Sequence, residues 1–211
     1  MKFVKILLMG TVVASLLSCS GGEQQSCNDS SCDKNHVIEN IMARRSIRKY
    51  KPGTVDRETM KKILECGINA PNGQNKQSWE VRVVDNPATM EEIKSIMAAA
   101  YPAEDAKRVT ACFRDAPVMV FIARDLSYDF SAYDCGLLAE NIMLSAWSMG
   151  VGSICLGSPV RFLTDNDLCK PYLEKLGFSE GYELCLCVGL GYADEEPEAK
   201  PRIAEKVKFV D

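Results

Sequence analysis

The sequence predicts a mixed α and β domain, because segments with apolar residues at helical spacing take turns with segments that alternate or run continuously apolar. Its composition agrees. With 211 residues, 46% hydrophobic and 26% charged, the chain is long enough for one domain with a substantial core. No internal repeat interrupts the alternation.

The elements follow in order. “NHVIENIMARR” sets Val37, Ile38, Ile41 and Met42 at helical spacing, and the basic run after them is expected to end that helix. “VDRETMKKILECGI” repeats the pattern with Met60, Ile63 and Leu64 behind a capping Asp56. “SWEVRVVD” alternates like a strand. Pro87 suits the first turn of a helix over “PATMEEIKSIMAAA”. “APVMVFIARD” is a continuous apolar strand. “FSAYDCGLLAENIMLSAWSMG” is a long helix, apolar on most faces and stopped by Gly150, which suits a core or a subunit interface. “GVGSICLG” and “YELCLCVGLGYA” are buried strands. The tail “DEEPEAKPRIAEKVKFVD” is polar and extended, too charged to lie wholly in its own core and able to wrap a partner subunit.

The first residues are not part of this fold. Lys2 and Lys5 precede “ILLMGTVVASLL”, an apolar run of about a dozen residues, too short to span a bilayer comfortably. Leu16-Leu17-Ser18-Cys19 resembles the lipobox of bacterial lipoproteins, in which the cysteine is lipidated and becomes the new N-terminus. Residues 1–18 are thus expected to be a signal peptide, 19–35 a lipidated Cys19 with a flexible tether, and 36–211 the folded domain. The localisation implied is the bacterial cell envelope, with a membrane lipid anchor; an ordinary cleaved signal or a short uncleaved anchor competes.

Ten cysteines suit an exported chain with disulfides. Cys27 and Cys32 could bridge within the tether or to another chain, while the seven later ones lie in apolar segments. Cys185 and Cys187, two apart on a strand, are expected on one face. They are a metal or redox pair, or two small core residues; no metal-ligand spacing accompanies them, which favours the core.

Several chemistries are excluded. A pI near 5.2 and a formal net charge of −4 argue against a nucleic-acid partner. A single histidine, His36 beside the tether, leaves no Ser-His or Cys-His catalytic system and no His–Cys zinc site. “GVGSICLG” follows a helix and opens a strand, the reverse of a dinucleotide fingerprint, and no phosphate loop is present. Side chains would have to hold any nucleotide phosphate.

“MARRSIRKYK”, residues 42–51, supplies such side chains: three arginines and two lysines around Ser46. Arginine forks match phosphate oxygens, and a serine hydroxyl adds a bond. A solvated helix end would also favour cations. Far along the chain, Lys200 and Arg202 flank a stiffening proline, and the two clusters together could close around one phosphate.

“RRSIRKY”, “APNGQNKQSWEV”, “GVGSICLG”, “GLGYAD” and “KPR” occur in an order and spacing that resembles the nitroreductase family of FMN enzymes, over nearly the whole chain after the tether. The resemblance implies an α+β fold: a mixed sheet flanked by helices, in an intertwined homodimer with FMN at the interface, the long helix as interface core and the tail as an exchanged arm. It assigns Arg44, Arg45, Ser46 and Arg48 to FMN phosphate, ribityl and ring edge, and Lys200 and Arg202 to the phosphate. Asn75 would face the flavin ring, Asn72 and Gly73 would reach the cofactor from the other subunit, and the Leu156–Gly157 turn would lie near flavin N5. Ser78, where the family often has proline, and Leu156, acidic in some members, depart from the pattern near the expected substrate face.

The activity so implied is FMN-dependent oxidoreduction in two hydride transfers. NAD(P)H is the donor, a nitroaromatic, quinone or similar small molecule is the acceptor, and Arg48 stabilises the reduced ring. No catalytic acid or base is required, and no metal. Two alternatives share the scaffold. One is a reductive dehalogenase, whose lid would lie in “AAAYPAEDAKRVTACFRDAP”; the other is a non-catalytic flavin-binding envelope lipoprotein.

Overall fold

The computed structural model describes residues 35–210, so the expected signal peptide, Cys19, and all but the last residue of the expected tether lie outside the described residues. Seven helices and four strands follow the expected alternation, α1(His36–Ala43), α2(Arg57–Ile68), β1(Trp79–Val84), α3(Pro87–Ala100), α4(Ala103–Thr110), β2(Val118–Asp125), α5(Ser131–Ser148), β3(Gly152–Leu156), α6(Ser158–Thr164), α7(Lys170–Leu176) and β4(Tyr182–Gly191), among the described residues.

The four strands form one sheet in the order β1-β2-β4-β3, every pair antiparallel. The parallel pairing that a mixed sheet requires is confined, among the described residues, to a lone bridge between Ser46 and Ser153. Both faces of the sheet are covered. Val118, Val120 and Ile122 pack with Ile63 of α2 and Leu138 and Ile142 of α5, while Met119 and Phe121 pack with Ile93, Phe113, Leu163 and Tyr172 on the other side. A strand buried on two faces needs apolar residues at every position, which is why “VMVFIA” is continuous rather than alternating.

The caps form where the sequence placed them. Asp56 accepts from the Thr59 N–H at 2.9 Å, and Asn86 with Pro87 opens α3. Four features differ from the sequence expectation or go beyond it. The first helix stops at Ala43, so the arginines lie beyond it, and it has no buried residue; Ile41 and Met42 are exposed. The segment assigned to a dehalogenase lid carries the end of α3, α4 and a 3-10 turn, anchored in the core by Val109, Cys112 and Phe113. The short helices α6 and α7, of seven residues each, have too few positions for a visible period. Cys185 and Cys187 do not share a face: a β-bulge makes Cys185 an extra residue opposite β2, turning it toward α5 while Cys187 packs on the opposite side. All seven cysteines among the described residues are free thiols.

Candidate functional site

Residues 45–51 leave α1 extended and are fastened along both edges. On one edge the Ile47 N–H donates to the Ser153 carbonyl of β3 at 2.9 Å. On the other, the Lys51 N–H donates to the Tyr192 carbonyl at 2.8 Å and the Asp194 N–H to the Lys49 carbonyl at 2.9 Å. The Glu195 carboxylate accepts from the N–H groups of Arg48 and Lys49. Ile47 is buried beneath the segment, and burial first, then Glu195, pushes the Tyr50 phenol well above its usual range. The inward Ile47 turns its neighbours Ser46 and Arg48 the other way.

The chain after Glu195 then passes the arginines. Arg44, Arg45, Ser46 and Arg48 line one cleft of about 130 Å³ with Glu198, Lys200 and Arg202 of the tail. Five cations therefore share a small volume with one carboxylate. Backbone carbonyls orient the guanidiniums: Arg45 Nη1 donates to Met42 and Arg44 at 2.7 and 2.8 Å, Arg48 Nη1 to Ser46 at 3.1 Å, and Arg202 Nη1 to Lys200 at 2.9 Å. One nitrogen of each fork is so engaged, and the others keep donors for a ligand. Arg44 Nε lies 3.9 Å from Glu140. Among the described residues Arg45, Arg48, Lys200 and Arg202 enter no ion pair. Like charges this close repel one another, and a multivalent anion between them reverses the sign of that interaction. A groove of about 510 Å³, bordered by Trp147, Gly152 and Ala193, adjoins the cleft and shares Arg45 and Pro197 with it.

The other expected residues lie elsewhere. Asn72, Gly73 and Asn75 belong to a loop at the N-terminal end of α5 and do not line the cleft. This loop is strained, with Gln74, Asn75 and Gln77 all at positive φ (56°, 54° and 48°). Asp134 of α5, buried, holds it by accepting from the Gly73 N–H at 3.0 Å and the Ser78 hydroxyl at 2.6 Å. Gly73 sits at a close approach: a Cβ there would meet the Tyr128 hydroxyl at 2.0 Å, so any larger residue would displace that ring. Ser78 is accordingly buried against Asp134 rather than presented to a substrate. Leu156 ends β3 with its side chain in the core, and Gly157 follows with nothing within 4 Å of where a Cβ would be, leaving the turn's backbone open to approach. Sequence reasoning passed over Glu195 and Asp134; an acidic run just before “KPR” and an aspartate in an otherwise apolar helix were the available signals.

A helix-covered antiparallel sheet, with a polycationic cleft where an extended segment crosses its edge strand, defines an α+β protein equipped to hold an anionic group. The chain belongs to the Nitroreductase family, whose model matches residues 41–192. An NADPH-flavin oxidoreductase of Vibrio harveyi is 31% identical over 180 residues, 82% of this chain and 72% of that protein. A relative from Methanothermobacter thermautotrophicus is 32% identical over 133 residues, 61% of this chain and 64% of its own length. Among solved structures, a nitroreductase with bound FMN from Bacteroides fragilis superposes with a TM-score of 0.75 at 26% identity, over 84% of this chain and all (100%) of that one. A second FMN-bound nitroreductase, from Desulfitobacterium hafniense, gives 0.74 at 28% identity with the same coverage.

Proposed function

We propose that this chain is an FMN-dependent NAD(P)H oxidoreductase that reduces small acceptors such as nitroaromatics and quinones. The observation that carries the proposal is the cleft itself. Cations separated by about 150 residues in sequence converge on it, four of the five outside any ion pair among the described residues, and such a donor set fits a dianionic phosphate ester. FMN-bound relatives of the same fold support the choice of ester.

When bound, FMN would supply the hydride chemistry. Arg44, Arg45, Ser46, Lys200 and Arg202 would hold its phosphate, and Arg48 would bring positive charge to the ring edge. Leu156 and Gly157 would offer backbone rather than side chain, in keeping with the buried Leu156 and the open Gly157. No step needs a histidine, and His36 faces Glu39 at 3.4 Å in α1.

The functional unit in this proposal is a homodimer. Ile203, Val207, Phe209 and Val210 of the tail are mostly solvent-exposed, Phe209 at 97%, and exchange of that arm would bury them. Asn72, Gly73 and Asn75, away from their own cleft, would then serve the cofactor of the other subunit. The N-terminal sequence further supports a lipoprotein anchored through Cys19 in the bacterial envelope.

The test is the visible spectrum of the purified protein, with the released cofactor identified, followed by anaerobic addition of NADPH or NADH. Yellow protein that releases FMN and bleaches with either nucleotide is expected. Colourless protein that takes up no added FMN would overturn the proposal.

A further inference from the structure

Away from the cleft, two thiols meet between the sheet and α5. In β4, Leu186 pairs with Ile122 and Leu184 with Ala123, so Cys185 is the bulged residue. The bulge breaks the two-residue alternation. Leu184 and Cys187 pack on the α3 side of the sheet, whereas Cys185 joins Leu186 and Val188 on the α5 side. There it faces Cys135, which is fully buried in the same cluster. The Cys135 S–H donates to the Ala123 carbonyl at 3.6 Å, and the bulge sets Cys185 opposite the Ile122–Ala123 step on the same side of the sheet, so both thiols lie beside Ala123.

The environment makes the two sulfurs unequal. The interaction with Cys135 first, and then the Arg124 guanidinium, draw the Cys185 thiol below its ordinary value against burial and Glu183. The same interaction, with burial and Asp134, pushes the Cys135 thiol up. Cys185 is half-buried and reachable, and Cys135 is not. An attacking thiolate backed by a buried resolving thiol is the arrangement of a dithiol redox couple.

We propose that Cys135 and Cys185 are a redox-active dithiol that closes to a disulfide joining α5 to β4. The oxidant is a small-molecule disulfide. The Cys185 thiolate attacks one of its sulfurs, its S–S bond breaks, and one thiolate leaves as a mixed disulfide forms on Cys185. Cys135 then gives its proton to solvent and attacks the Cys185 sulfur, expelling the second thiolate. Two protein thiols lose two electrons and two protons, and one small disulfide becomes two thiols. The closed bond would lie next to Asp134, the residue that holds the 72–78 loop.

The full chain is reduced, treated under native conditions with glutathione disulfide, blocked with N-ethylmaleimide, and mapped by mass spectrometry without reduction. The expected major product is a cross-linked pair of peptides containing Cys135 and Cys185. Cys135→Ser should instead trap glutathione on Cys185. Should that variant fail to fold, the wild-type map decides alone. Folded wild-type protein whose two peptides come back unlinked, or linked to other cysteines, overturns the proposal.

Discussion

Asp134→Ala tests how the strained loop is held. The carboxylate accepts two bonds, from the Gly73 N–H at 3.0 Å and the Ser78 hydroxyl at 2.6 Å. Hydrogen bonds to a charged acceptor contribute about 1.5–3 kcal/mol each, so their loss costs about 3–6 kcal/mol. Part is recovered, because Asp134 is only 3% exposed and its burial carries a desolvation cost of several kcal/mol. Ser78, 1% exposed, is left without a partner, and an orphaned buried hydroxyl costs about 1–3 kcal/mol. The net expectation is a loss of about 3 kcal/mol, a fall in Tm of roughly 6–12 °C for a domain of this size. Three residues at positive φ, each unfavourable by about 1–2 kcal/mol, give the released loop reason to relax. Asp134→Asn keeps an acceptor for Gly73 and offers Ser78 a donor, and should cost about 1 kcal/mol. Urea and thermal melts of the three proteins, with FMN titration of each, make the measurement. An alanine variant within about 1 kcal/mol of wild type, or an asparagine variant as damaged as alanine, would refute the account of the loop.

Three further outcomes are expected. Arg44→Ala should fold but bind FMN about 10- to 100-fold more weakly, the effect of one charge-assisted contact, as read by flavin fluorescence; full flavin occupancy would remove Arg44 from the site. Acid should destabilise the domain as the pH falls below about 4. The Thr59 N–H holds Asp56, Arg57 holds Asp85, and Ser127 holds Asp125 below the usual 3.8, so their stabilisation is complete above that value and is lost as each protonates in the fold. Urea midpoints at pH 3, 4 and 6 would show it, and a flat profile would contradict it. Cys19→Ser should abolish incorporation of labelled fatty acid into the protein, and labelling that persists would refute lipid anchoring at Cys19.

The sequence by itself determined what local periodicity and local chemistry encode. Helical spacing marked α2, an opening proline marked α3, a long stretch apolar on most faces marked α5, continuous apolar runs marked β2 and β4, and Asp56 and Pro87 marked where helices begin. Each of these signals is complete within a few residues, because a helix face, a strand face and a cap are built from near neighbours. Tertiary structure decided the rest. Arg44–Arg48 and Lys200–Arg202 line one cleft because residues 46–51 are clasped between Ser153 and the stretch from Tyr192 to Glu195. Asp134 stands out in α5 only once Gly73 and Ser78 are seen to bind it. The fate of Cys185 turned on one extra residue in β4. A strand's alternation places a side chain only relative to its own neighbours, whereas a bulge depends on the register chosen against another strand, so Cys185 came to Cys135 and parted from Cys187 by a decision no local pattern contains.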